Sequence, residues 1–176
     1  YIHTVLEAMK LALADRDEHY GDPLFVDVPL DALLSDEYTT MRRQLMNMHR
    51  ASDKFQPGDP VNMKPLLDKS KTNIGVDGIV KDTTTCTIAD KYGNLVAATP
   101  SGWGSKIKAG KTGIWLGTRL ISFNLWKGHS NCIEPGKRPR ITLTPTIVKK
   151  DDRAVMAVSV KGGDWQDQSA LQLILN

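Results

Sequence analysis

Cysteine, histidine and aromatic residues are scarce in this chain, and each scarcity excludes something. Its 176 residues hold two cysteines and four histidines, and Phe, Tyr and Trp together make 6%. Two cysteines, Cys86 and Cys132, cannot make the disulfide framework of a small secreted scaffold; they can pair or stay free. His3 and His19 lack cysteines or carboxylates at metal spacing, so both read as helix-surface histidines, and no metal or cofactor is expected. No Ser-His-Asp arrangement stands out. No apolar run approaches the roughly 20 residues that span a bilayer, which argues against a membrane partner. A net charge of +3 is too small to point to nucleic acid or an anionic surface.

What is present is ordinary for a soluble globular domain: 40% hydrophobic and 24% charged residues, in a chain long enough for one sizeable core. Tyr1 opens inside a helical pattern and Asn176 stands inside another, so the expectation is a piece of a longer protein, with any leader upstream. Ile2, Val5, Leu6, Met9 and Leu13 recur at helical spacing over residues 1 to about 20, and Gly21 and Pro23 end that helix. Asp31 is suited to cap a short turn. Ser35 is suited to cap the next helix, with Asp36 and Glu37 in its first turn and Tyr38, Met41, Leu45 and Met48 on its buried face. From about 51 to 82, Pro57, Gly58, Pro60, Pro65 and several charges break all periodicity, which reads as a long exposed connection.

The stretch Asp82 to Gly104 reads as two short strands around the turn Tyr92-Gly93-Asn94. The second strand, Asn94 to Thr99, is small and apolar on both faces, as in a strand covered on both sides, and Cys86 in the first reads as a buried thiol. Ser105 to Thr112 nearly matches a phosphate-binding loop, but Ser105 replaces its first glycine and no helix pattern follows, which argues against a nucleotide site. Residues 127–139 are rich in turn formers. Ile141 to Val148, interrupted by Pro145, and Ala154 to Val160 read as paired strands around a charged turn. Gly162-Gly163 breaks the second, and Gln166 to Asn176 reads as a helix with Leu171, Ile174 and Leu175 on one face. The order of elements is that of an α+β layered protein.

Asp82-Thr83-Thr84, followed by Ile88-Ala89-Asp90-Lys91-Tyr92-Gly93-Asn94, resembles the cleavage-site hairpin of the gamma-glutamyltranspeptidase family of N-terminal-nucleophile hydrolases. The resemblance covers nearly the whole chain. Glu7-Ala8-Met9-Lys10-Leu11-Ala12, Ala14-Asp15-Arg16, Gly21-Asp22-Pro23 and Phe25-Val26-Asp27-Val28-Pro29 look like the end of that family's large subunit. Pro135-Gly136-Lys137-Arg138-Pro139, Thr144-Pro145-Thr146 and Gly162-Gly163-Asp164 look like its small subunit. The resemblance implies a four-layer αββα sandwich. It implies residues 1–82 as the large-subunit-like part, with 51–82 as the segment before the cut, and 83–176 as the small-subunit-like part, together one domain. It further implies self-cleavage between Asp82 and Thr83, a large and small subunit heterodimer and a small amide or peptide substrate; it leaves the location open and is compatible with a periplasmic or secreted one.

The chemistry implied is an acyl transfer in which Thr83 is the nucleophile. A threonine hydroxyl needs a base, and an α-amine freed by cleavage, with an ordinary pKa of about 7.7–8.0, supplies one. By resemblance, Ser101 assists the nucleophile, Gly162 and Gly163 offer oxyanion donors, and Thr142 falls at a substrate-contacting position. By the same resemblance, Trp103, Arg119 and Ser122 stand where the family holds the α-ammonium and α-carboxylate of a glutamyl donor with acidic and amide side chains. The expectation is therefore cleavage of gamma-glutamyl or related acyl amides through an acyl-enzyme, with acyl groups that are anionic or apolar and lack the α-amine preferred over gamma-glutamyl ones. The alternative is a non-catalytic relative kept as a binding or structural domain.

Overall fold

The computed structural model describes residues 1–66, 83–102 and 104–176. They form two compact units, one of residues 1–66 with 123–140, the other of residues 83–122 with 141–176. Asp82, Trp103 and the later part of the expected pre-cleavage segment lie outside the described residues. The division at 82/83 is an expected cut in the chain, which is a different matter from which residues pack together.

The first unit is built on α1 (Ile2–His19), a short α2 (Leu30–Leu33) and α3 (Asp36–Gln44), with a small ladder of β1 (Gly58–Asp59) and β2 (Lys64–Pro65). Ser35 caps α3 as expected: its hydroxyl accepts from the Tyr38 N–H at 3.2 Å. Asp31 does not cap α2; Pro29 holds that position, and Asp31 lies in the first turn. The inward face of α1 also departs from the apolar spacing. Met9 and Ala14 are buried, but Ile2 and Leu6 are exposed, and Glu7 and Asp15 point inward. The two carboxylates are held by the chain beyond α3: Glu7 accepts from the Ser52 N–H at 3.1 Å and Asp15 from the Gly58 N–H at 2.8 Å. Apolar periodicity on α1 carries no record of those distant donors. Tyr38 is buried as expected, whereas Leu45 and Met48 lie beyond the end of α3 and are exposed. His3 and His19 bond to the carbonyls of Asn47 and Gly58, each at 2.8 Å. Residues 51–54 are exposed, as expected of a connection, but Pro57, Gly58 and Pro60 are buried.

The second unit is two antiparallel hairpins and a helix: β3 (Cys86–Ala89) with β4 (Leu95–Ala98), β5 (Thr146–Lys150) with β6 (Arg153–Val158), and α4 (Trp165–Leu175). Asp90 sets the first turn, accepting from the Tyr92 and Asn94 N–H groups at 2.8 and 2.9 Å. Strand β5 begins immediately after Pro145, which lacks a ladder donor. The hairpins meet where Ser159 donates to the Ala98 carbonyl at 2.8 Å. That fixes the direction of the second bond, in which the Thr99 hydroxyl donates to Ser159 at 2.8 Å. Val158, Gln166 and Ala170 are buried in this unit. Leu171 and Leu175 of α4 are exposed, so the inward face of that helix lies one step from the one expected.

Two expectations about the first hairpin are corrected. Strand β3 is exposed along its length, with Ile88 at 56% and Cys86 as a free, exposed thiol. Val96 of β4 is also exposed. Small apolar residues make a strand fit to be covered, but a covering layer must come from elsewhere, and among the described residues none lies over these side chains.

Candidate active site

The hairpin turn positions the first pair of interest. Its register pairs Cys86 with Ala98 and continues outward as Thr84 N–H donates to the Pro100 carbonyl at 3.0 Å. One step further, Thr83 faces Ser101, and their hydroxyl oxygens lie 2.7 Å apart. A turn at residues 90–94 thus decides which hydroxyl stands opposite Thr83 at the open end of the ladder. Both side chains are half-buried.

The second pair follows directly. Gly102, next to Ser101, accepts from the Thr118 N–H at 2.8 Å, which brings Arg119 alongside. The side chain of Arg119 lies against Gly102 so closely that a Cβ there would stand 3.1 Å from its Nε. Gly102 also has φ +92°, so glycine is required twice over at this position. Arg119 opens a single 3₁₀ turn, Arg119–Ser122, and its Nη2 is buried with no hydrogen-bond partner among the described residues. Ser122, at the end of that turn, is half-buried. Gly102 was not singled out by sequence reasoning; the glycines around Trp103 were its only signal, and nothing local announces the contact with residue 119.

Gly162 and Gly163 stand at the start of α4 with φ +126° and +56°. Their carbonyls accept from Trp165 and Gln166 at 3.0 and 3.2 Å, and their N–H groups have no partner among the described residues. Thr142 is half-buried in the extended segment before Pro145. The described contacts thus join Thr83 to Ser101 and Arg119 to Gly102; Thr142, Ser122, Gly162 and Gly163 are positioned in the same unit without a described contact to Thr83. Behind them, Gln166 is fully buried, with its Oε1 3.4 Å from the Thr144 nitrogen. This link between the 141–146 segment and α4 also escaped sequence reasoning.

Among the described residues no group of His, Cys, Asp and Glu could hold a metal ion, and no helix is long and apolar enough to cross a membrane. The near-match to a phosphate loop folds as a tight turn, in which Lys108 bridges to Trp115 and the Thr112 hydroxyl donates to the Ala109 carbonyl at 2.6 Å. No helix follows it. The first unit carries a cleft of about 400 Å³ lined by Asp17, Glu18, Trp126 and His129 among others. Burial holds the His129 imidazole below its usual range. None of the expected site residues lines this cleft.

Comparison with known proteins gives the family of the chain. The family model described as gamma-glutamyltranspeptidase matches residues 1–176. A glutathione hydrolase proenzyme of Bacillus subtilis (strain 168) is 36% identical over 96% of this chain and 30% of its own length. The solved structure of LmbA2991HD superposes with a TM-score of 0.79 at 38% identity, over 99% of this chain and 31% of that one. A cephalosporin acylase from Bacillus halodurans superposes with a TM-score of 0.74 at 30% identity, over 99% of this chain and 29% of that one. The chain therefore spans about 30% of the length of these relatives. With a match from the first residue to the last, and the hairpin and glycine turn in place, the chain belongs to the gamma-glutamyltranspeptidase family.

Proposed function

We propose that this chain carries the nucleophile of an autoprocessed threonine amidohydrolase or acyltransferase. The observation that carries the reading is the 2.7 Å approach of the Thr83 and Ser101 hydroxyls across the open end of the hairpin. In the precursor, the Thr83 hydroxyl attacks the Asp82 carbonyl and the peptide bond shifts to an ester. Water hydrolyses that ester, leaving the Asp82 carboxylate and a free Thr83 α-amine. In turnover, the amine takes the Thr83 proton while its oxygen attacks the substrate amide carbonyl. The resulting oxyanion is met by the N–H groups at Gly162 and Gly163, and the proton passes to the leaving amine. Water or an acceptor amine then releases the acyl group from Thr83. Ser101, through its bond to Oγ1, orients that oxygen for both steps.

The family relatives named as glutathione hydrolase and as cephalosporin acylase support acyl amides as the substrate class. The exposed apolar side chains Ile88, Val96, Ile147 and Val155 fit a four-layer αββα arrangement, in which helices would cover the outer faces of both hairpins. In this reading residues 1–82 belong to a large subunit and 83–176 to a small one. The test is a denaturing gel and N-terminal sequencing of the full-length protein. Two pieces are expected, the smaller beginning at Thr83, and Thr83→Ala should stay uncut and inactive. Cleavage or amidase activity that persists in Thr83→Ala would remove the nucleophile assignment, whereas a full-length wild type that neither cleaves nor turns over an amide would favour a non-catalytic role.

A further inference from the structure

We propose that Thr99 and Ser159 form a polar clasp that sets where the Gly162-Gly163 turn stands relative to the Thr83–Ser101 pair, which makes both of them positioning residues for acyl transfer. This rests on the reading of Thr83 as nucleophile and deepens it. Three observations within the second unit carry it. The first is that no backbone ladder aligns the two hairpins. The described strands pair only within each hairpin, β3 with β4 and β5 with β6. The second is the clasp itself. Thr99 and Ser159 are the residues immediately beyond β4 and β6. Their hydroxyl oxygens lie 2.8 Å apart, and Ser159 also donates to the Ala98 carbonyl at 2.8 Å, so one serine holds the end of β4 by a side chain and by its backbone. Thr99 is buried, where a hydroxyl needs such a partner. The third is reach. Ser101 follows Thr99 by two residues and Gly162 follows Ser159 by three, which extended chain spans with at most about 7 and about 11 Å. With the clasp closed, the glycine turn stands within short reach of the strand end that presents Ser101.

Both arms of the clasp are themselves held. Between Thr99 and Ser101, Pro100 has a fixed φ and its carbonyl accepts from the Thr84 N–H at 3.0 Å. Beyond the glycines, Trp165 and Gln166 donate to the carbonyls of Gly162 and Gly163, and the fully buried Gln166 side chain accepts from the Thr144 N–H at 3.4 Å. The turn is thus fixed by Ser159 before it and by Gln166 after it. Apolar contact alone would bury the same strand ends, but it is non-directional and sets no register; two hydroxyls in hydrogen-bond contact do. An oxyanion donor acts only at the place where charge develops, so register between the hairpins becomes a kinetic quantity.

The experiment measures kcat and KM of the full-length protein toward glutaryl or gamma-glutamyl p-nitroanilide, whichever wild type turns over faster, with kcat referred to the cleaved fraction on gels. The variants are Thr99→Val, which keeps the branched shape and loses the hydroxyl, Thr99→Ser, which keeps the hydroxyl, Ser159→Ala, and the double Thr99→Val with Ser159→Ala. Thr99→Val and Ser159→Ala should each lower kcat by roughly 10- to 10²-fold with KM near wild type, because misplaced donors weaken the transition state and spare ground-state binding. Thr99→Ser should retain most of the rate. The double variant should fall no further than Ser159→Ala, since both changes open one clasp. Melting temperature falls whether the clasp positions the turn or merely stabilises the fold, so kcat per cleaved chain decides. If it is unchanged in Thr99→Val and Ser159→Ala, or if Thr99→Ser is as slow as Ser159→Ala, the hydroxyls serve stability alone and the proposal is overturned. Should Thr99→Val fail to fold, Ser159→Ala against Thr99→Ser decides on the same terms. These results leave the nucleophile standing, since that fails separately, through activity retained in Thr83→Ala; a wild type that neither cleaves nor turns over either amide removes both.

Discussion

Arg138 closes on Asp22 from 116 residues away in sequence: its Nη2 and Nε reach the two carboxylate oxygens at 2.8 and 3.1 Å, and its own backbone N–H adds a third bond at 2.8 Å. The carboxylate is buried, while the guanidinium is largely exposed. The pair ties the loop after α1 to the turn-rich 127–139 segment within the first unit. The side-chain bonds from Arg138, then its N–H, hold the Asp22 carboxyl far below the usual carboxylate range, against the opposing effect of burial.

A pH dependence follows. An unfolded aspartate takes up a proton near pH 3.9, whereas folded Asp22 resists protonation until well below that. The pair's contribution is therefore full above about pH 4 to 5 and is lost as pH falls through the folded value. Asp22→Asn should lower the melting temperature at pH 7 and flatten its decline between about pH 4 and 2. Thermal melts across that range check it, and an acid limb as steep in the mutant as in wild type would assign the decline to other groups.

The Asp15–Arg42 pair predicts the opposite sign. Both side chains are buried, with Arg42 Nε 3.0 Å from Asp15 Oδ2 and Arg42 Nη2 bonded to the carbonyls of Leu11 and Gln56. Burial raises the Asp15 carboxyl above its usual range, partly offset by the Gly58 N–H and Arg42. Arg42→Ala leaves that carboxylate buried and unpaired, a loss of about 3–5 kcal/mol at neutral pH. The native mutant then binds a proton at higher pH than the unfolded chain does, so the deficit should shrink as pH falls from about 7 toward 4. Denaturant titrations of wild type and Arg42→Ala at several pH values test this; a deficit that widens with acid would contradict the stated burial of Asp15.

How far the sequence carried differs between local and distant interactions. The Ser35 cap, the turn around Gly93 and the charged turn after Val148 depend on a few adjacent residues, and all stand as read. Ser101 was set beside Thr83 by resemblance alone; the geometric reason, a register that pairs Cys86 with Ala98, comes from the structure. Burial was less legible. Glu7 and Asp15 point inward because backbone donors at 52 and 58 meet them, and no periodicity in α1 encodes those donors. Cys86 and Ile88 have the composition of an interior strand, yet composition cannot supply the layer that makes an interior. The Gly102–Arg119 contact joins two loops through the absence of a side chain, the kind of relation that a sequence shows only after the fold is known.

Ser101 offers a graded test of the hydroxyl pair. If its hydrogen bond orients Thr83 Oγ1, Ser101→Ala should lower kcat by up to roughly tenfold, the equivalent of one neutral hydrogen bond of about 0.5–1.5 kcal/mol. Ser101→Thr keeps the hydroxyl and should retain most of the rate. Steady-state kinetics on processed protein, with the extent of cleavage followed on gels, separates orientation in turnover from orientation in processing. Equal rates for the alanine and threonine variants would leave the short oxygen–oxygen distance without a kinetic role.

The glycine turn before α4 admits two explanations that one pair of measurements can separate. As a strand-to-helix turn, Gly162-Gly163 is needed for its positive φ values alone, and a side chain there costs stability. As an oxyanion site, its N–H groups must be approached closely by the reacting carbonyl, and a side chain costs turnover even where the fold survives. Gly163, with φ +56°, sits in the left-handed region that asparagine tolerates and valine does not. Gly163→Asn should therefore keep a melting temperature near wild type, while Gly163→Val should lower it. If the pair meets the oxyanion, both variants should lose kcat, by roughly 10²–10³-fold for the one that blocks a donor outright, because each side chain intrudes on the space of the developing charge. Calorimetry alongside kcat decides between the explanations. A folded Gly163→Asn with near-normal turnover would make the pair a turn and nothing more, and would move the search for oxyanion donors elsewhere in the second unit.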